Sequence, residues 1–97
     1  MTVGSGLAPQ LSWTPRCQAS DVLVESVAPG STTNWRVTML DASNSISSPV
    51  AFGDTLPGAL NSGIVVPLVA GIQYRAVVGR TDSAGHIVLA GETSFTP

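Results

Sequence analysis

Apolar side chains in this chain recur at every second residue, the spacing that sends alternate side chains to opposite faces of a strand. The clearest run is Asn34-Trp35-Arg36-Val37-Thr38-Met39-Leu40, with Trp35, Val37 and Met39 on one face and Arg36 and Thr38 on the other. Leu11 and Trp13 share a face in Pro9–Thr14, which Pro15 ends. Val22 and Val24 take the inner face of Asp21–Val27. A helix needs an apolar stripe at a period of 3.6, and no segment of helical length carries one. The chain is therefore read as all-β.

Turn residues divide the remainder. Pro29-Gly30 punctuates the chain, and Asp41–Ser48 is a polar loop. Pro49–Phe52 is a short strand that Pro49 confines to an edge or a strand start. Gly53–Gly63, with Pro57-Gly58 and Asn61, reads as a long connection. Ile64–Leu68 is expected as a strand with Ile64, Val66 and Leu68 inward. The stretch Pro67–Val78 then combines a strand end, a tight turn at Gly71 and a new strand that opens on Tyr74. A tyrosine so placed hydrogen-bonds back across the corner it has just turned. Gln73–Thr81 is the long strand, Asp82–Gly85 closes a hairpin, and His86–Ala90 pairs back. The strand resumes through Thr93–Phe95, with a bulge at Gly91. About seven short strands with regular turn signals fit one antiparallel sandwich.

The length of 97 residues suits a single domain. Residues 1–6 are expected as a flexible N-terminal segment around Gly4-Ser5-Gly6, and 7–97 as the sandwich domain. Charged residues make up 10% of the chain, against about 25% in an average domain. Lysine is absent; four arginines face six carboxylates, for a net charge of −2. Scattered arginines cannot neutralise a run of phosphates, so nucleic acid is excluded as a partner. Strand edges also lack the lysines that discourage edge-to-edge pairing. Such a neutral, hydroxyl-rich surface suits contact with other proteins. Cys17 is the lone cysteine, so no intrachain disulfide forms. Met1–Gly6 has neither the charged start nor the apolar stretch of a signal peptide. The longest apolar run, Ile64 to Ala70, contains Pro67 and falls far short of the roughly 20 residues that span a bilayer. No membrane insertion is expected.

Few residues carry candidate chemistry. Asp82, Ser83 and His86 are the residue types of a hydrolase triad. One hairpin would have difficulty aligning all three, and a triad also needs an oxyanion hole. Asp82 and Ser83 are better read as turn formers, with His86 opening the next strand. His86, Cys17 and Met39 lack metal-ligand spacing, and no cofactor is implied. Cys17 follows Pro15-Arg16, where a nearby cation favours the thiolate; a small buried apolar residue is the commoner role. Trp13 and Trp35 sit on inward phases, which assigns them to the core over a sugar platform.

The outward phases hold the candidate contact surface: Leu23, Val27, Leu40, Val65, Val77 and Val88. Leu23, Leu40, Val77 and Val88 are expected on the sheet built from the second, third, sixth and seventh strands. Several apolar residues together on one face mark a contact patch.

Pro9-x-Leu11-Ser12-Trp13-Thr14-Pro15, Leu68-x-x-Gly71-x-x-Tyr74-x-Ala76-x-Val78, Gly85 and the closing Phe95-Thr96-Pro97 together resemble the fibronectin type III and immunoglobulin-like superfamily. The resemblance implies an early tryptophan in the core on the second strand and a tyrosine corner at the sixth. Gly4 and Gly6 depart from it by interrupting the first strand. The lone cysteine departs from antibody-type domains, and the Asp82–Gly85 hairpin lacks an Arg-Gly-Asp sequence. Such domains mostly supply adhesive, spacer and recognition modules. The expectation is a non-enzymatic structural or protein-interaction module, self-associating or contacting neighbouring subunits. It is expected outside the cytoplasm, in a surface protein or a repeating extracellular or viral assembly. The alternative is a small-ligand or carbohydrate-binding module that uses the loops Ala28–Thr33 and Asp82–Gly85.

Overall fold

A computed structural model of the chain describes residues 1–13, 18–27, 32–40, 43–54, 58–61 and 65–97. The expected loop site at Ala28–Thr33 falls largely outside these residues, as do Cys17 and Ile64. The described elements are β1 (Thr2–Val3), β2 (Gln10–Ser12), β3 (Asp21–Ser26), β4 (Thr33–Met39), β5 (Val50–Ala51), β6 (Ala59–Asn61), β7 (Tyr74–Thr81) and β8 (Ile87–Phe95). They form two antiparallel sheets, one of three strands in the order β1-β2-β5 and one of five in the order β6-β4-β3-β7-β8. No described residue is helical.

The two-residue alternation explains how the sheets meet. Leu11 and Val50 from the smaller sheet join Val22, Val24, Trp35, Val37, Ala76 and Val78 from the larger in one buried cluster. Trp13, Ile46 and Leu68 complete it from the connecting segments. Trp35 is almost wholly enclosed; its indole N–H donates to the Asp54 carbonyl at 3.2 Å, and its ring lies 5.7 Å from that of Phe52. A buried indole N–H needs such a partner. The inward faces expected for β2, β3 and β4 are those that are buried.

The corner before β7 is built as its sequence predicts. Gly71 takes a φ of 85°, a left-handed conformation that only glycine adopts without strain. The chain reverses there, and the Tyr74 hydroxyl accepts the Val69 N–H at 2.8 Å. Tyr74 and Leu68 are both buried, and the Tyr74 ring lies 5.8 Å from Phe95 on β8.

Three features differ from the sequence expectations or refine them. Residues 65–69 form no strand, and Val66 is exposed. Pro67 interrupts the segment and has no N–H to give a ladder. The segment instead lies against β4: the Val66 N–H donates to the Asn34 carbonyl at 2.8 Å, and the Asn34 side-chain amide donates to the Val66 carbonyl at 3.2 Å. The stretch Gly53–Gly63, expected as a long connection, contributes β6, which pairs Ala59, Leu60 and Asn61 with Met39, Thr38 and Val37. Within residues 1–6, Thr2 and Val3 form β1 opposite Ser12 and Leu11, and the Gly4 N–H donates to the Gln10 carbonyl at 2.8 Å.

The bulge expected in the last strand is present. Pairing passes from Val78 opposite Gly91 to Gly79 opposite Leu89, which leaves Ala90 without a counterpart on β7. The phase of β8 therefore reverses at Ala90. A second irregularity, between Val24 and Glu25, leaves Asn34 unpaired with β3.

Candidate functional site

The outward face of the five-stranded sheet carries most of the described charge. One cross-strand row runs Arg36, Leu23, Val77, Glu92 across β4, β3, β7 and β8. The next runs Thr33, Glu25, Arg75, Ser94, and the one on the other side Thr38, Asp21, Gly79, Leu89. Asp21, at the start of β3, accepts from the Arg36 guanidinium through both oxygens at 3.0 and 3.1 Å, and from the Thr38 hydroxyl at 2.7 Å. This bidentate fork is the strong form of the arginine–carboxylate bond. Arg75 donates from Nε to Glu25 at 2.9 Å and lies 3.6 Å from Glu92. The hydrogen bond to Glu25, followed by the charge of that carboxylate, raises the Arg75 pKa above its ordinary value. The guanidinium therefore stays charged throughout the physiological range.

Two of the expected contact residues come together on this face. Leu23 and Val77 are directly opposite each other and half-buried, with Arg36 and Glu92 at the ends of their row. The other four do not join them. Leu40 is exposed in the turn after β4, Val27 just beyond β3, and Val65 in the segment before the tyrosine corner. Val88 is exposed on β8, yet it sits opposite Arg80 in the phase of the inward residues Ala76 and Val78. Expecting Val88 on the outward face overlooked the phase reversal at Ala90.

Ile87 and Leu89, which flank Val88, take the outward phase instead, opposite Thr81 and Gly79. They are 53% and 64% exposed, and Val88 is 45% exposed. Gly79 makes room for this arrangement: a Cβ there would stand 2.8 Å from the Ile87 side chain. Periodicity could not single these residues out, since three consecutive apolar residues satisfy either face. The lack of charge across Ile87–Gly91 beside a hairpin turn was the available signal.

The hairpin residues Asp82, Ser83 and His86 lie together at an exposed tip. The Asp82 carboxylate accepts the backbone N–H groups of Ala84 and His86, both at 2.9 Å. The Asp82 N–H donates to the His86 carbonyl at 2.8 Å, and Gly85 takes a φ of 84°. His86 Nδ1 stands 4.0 Å from Asp82 Oδ2 with its side chain 80% exposed. This geometry is that of an aspartate folding its own turn.

Clefts also open among the described residues. One, of about 290 Å³, is lined by Met39, Ser45, Ile46, Ser47, Val50 and Asp54. Another, of about 210 Å³, is bounded by Glu25, Val27, Arg75, Glu92 and Ser94, around the Arg75 ion pairs. Among the described residues no group of three or more histidine, cysteine, aspartate or glutamate side chains is arranged to hold a metal ion. Nor is any described helix long and apolar enough to cross a membrane.

No protein-family model, no curated protein and no solved structure matches the chain.

Proposed function

We propose that this chain is a non-catalytic structural or protein-interaction module with an immunoglobulin-like, fibronectin type III-like sandwich. Two features support the fold reading. In immunoglobulin sandwiches strands C, F and G adjoin in one sheet, and A, B and E lie in the other. Strands β3, β7 and β8 stand in the first relation and β1, β2 and β5 in the second, with Tyr74 at the corner before β7. Strand β6 departs from that order, since it follows β5 in sequence but pairs with β4.

The functional reading rests on the exposed apolar run Ile87-Val88-Leu89 on a strand at the end of its sheet. Exposed apolar residues grouped in this way mark contact surfaces. Among the described residues, the carboxylates of Asp21, Glu25 and Glu92 face arginines, and that of Asp82 is bound into its own turn.

A panel of soluble glycans against the whole chain tests this reading against the ligand-binding alternative. The expected result is no saturable binding. Saturable binding that disappears in Asp82→Ala, at the hairpin, or in Ser47→Ala, in the cleft beside Met39 and Ile46, would overturn it.

A further inference from the structure

We infer that the cleft beside Met39 and Ile46 takes a lysine side chain of a different protein, with the alkyl stem on its apolar floor and the ammonium at the Asp54 carboxylate. This inference rests on the interaction-module reading and states the chemistry of the partner.

The cleft has a floor and a rim of different character. Met39, Ile46 and Val50 form the floor and are buried. Ser45, Ser47, Pro49 and Asp54 form the rim and are exposed. Lysine has the same division, a stem that covers apolar surface and a charged head kept near water. At about 290 Å³ the cleft falls at the small end of the roughly 300–1,000 Å³ usual for small-molecule sites. That size suits one side chain.

Asp54 supplies the charge. Other described carboxylates are committed: Asp21, Glu25 and Glu92 face arginines, and Asp82 folds its own turn. The Asp54 carboxylate has no hydrogen-bond or ion-pair partner among the described residues. Its main chain is nonetheless fixed. The Asp54 N–H donates to the Ala51 carbonyl at 3.1 Å, and the Asp54 carbonyl accepts the Trp35 indole N–H at 3.2 Å. The rest of the lining is equally pinned. Ile46 exchanges two backbone hydrogen bonds with Ala19, both of 2.8 Å, and Val50 pairs with Leu11. The Ser47 hydroxyl accepts the Gln18 side-chain amide at 3.0 Å. A site already held in place pays little ordering entropy when it is filled.

The composition of the chain selects the source of the lysine. The chain has none of its own, so a second copy has none to insert. Its described arginines are engaged: Arg36 with Asp21, Arg75 with Glu25 and Glu92, and Arg80 with the Gln18 carbonyl. The occupant therefore comes from another protein, and a net charge of −2 favours a basic one. Lysine is assigned over arginine because the guanidinium spreads five donors across a plane, above a floor whose side chains offer no oxygen acceptor.

The test follows the amide resonances of the whole, nitrogen-labelled chain during titration with the peptide acetyl-Gly-Lys-Gly-amide. Norleucine and arginine counterparts serve as comparisons. Saturable shifts should appear around Met39, Ile46, Ser47 and Val50, in the millimolar range that one ion pair over a small apolar contact supports. The norleucine peptide should give none, and added salt should weaken the response. Affinity should fall about fivefold in Asp54→Asn, the weight of one exposed ion pair. That variant should keep the parent's melting and circular dichroism, since the carboxylate holds no described residue in place. Absence of saturable shifts into the high millimolar range would overturn the inference. So would shifts undiminished in Asp54→Asn, an equal response to the arginine peptide, or shifts centred on the Arg75 cleft. Butylamine binding about tenfold tighter than the peptide would assign the cleft to a small free amine and overturn it as well. Failure of the lysine peptide leaves the interaction-module reading standing on another surface. Glycan binding that disappears in Asp82→Ala or Ser47→Ala would remove that reading itself.

Discussion

Tyr74 specifies a whole corner of the fold with one side chain. Its spacing from Leu68 and Gly71 predicts a hydroxyl returning to the chain before the turn, and the hydroxyl accepts the Val69 N–H at 2.8 Å. Tyr74→Phe should lower stability by about 1 kcal/mol, the usual worth of one such bond. Urea denaturation reads the shift, and far-ultraviolet circular dichroism should not change. Trp35 has a larger role, filling the middle of the cluster with its N–H satisfied by Asp54. Trp35→Ala should cost about 3–5 kcal/mol, against a total of about 5–15 kcal/mol for a small domain. A melting temperature within a degree or two of the parent would show the ring to be dispensable. Residues of this kind are legible because burial and period coincide. Ile87 and Leu89 escaped the same reading because a run of three apolar residues has no period, and its phase depends on a bulge.

At the scale of elements, the long strands were legible and the short ones were not. Strands β3, β4 and β7 are six, seven and eight residues long, and each carries an alternating stretch (Val22–Val24, Trp35–Met39 and Tyr74–Val78) that marks its inner face. Strand β6 has three residues and β1 has two, too few for a period to register. The segment around Val66 read as a strand because its composition is β-branched; its hydrogen bonds to Asn34 make it a strip alongside β4 instead. Pairing, which sequence does not display, decided each of these cases. The turn at Gly71 supplies an element-scale prediction. Nothing lies within 4 Å of a Cβ built there, so Gly71→Ala should cost only the strain of a left-handed backbone, about 1–2 kcal/mol. Gly79→Ala should cost more: its Cβ would stand 2.8 Å from Ile87 Cγ2, a methyl on the branched and χ1-restricted carbon, so Ile87 must change rotamer or the strands must shift. Paired thermal melts of the two variants give the ranking.

For the whole molecule, stability should be graded from the centre of the larger sheet outward. Strand β3 is flanked on both sides, by β4 and β7, along most of its length, whereas β1, β5 and β6 are short and peripheral. Native-state hydrogen exchange should therefore find the slowest amides in β3 and its neighbours and the fastest in β1 and β6. Uniform protection across all strands would contradict that gradient. The all-β class and the shared interior followed from period alone. The division into three and five strands did not, because strand order is a long-range property that local alternation leaves open.

The two ends of the larger sheet are unequally guarded. One is covered by β6 and by the strip at Val66; the other ends on β8, which carries neither lysine nor proline. Unguarded margins are where stray strands add on, so any aggregation of this chain should begin at the β8 end.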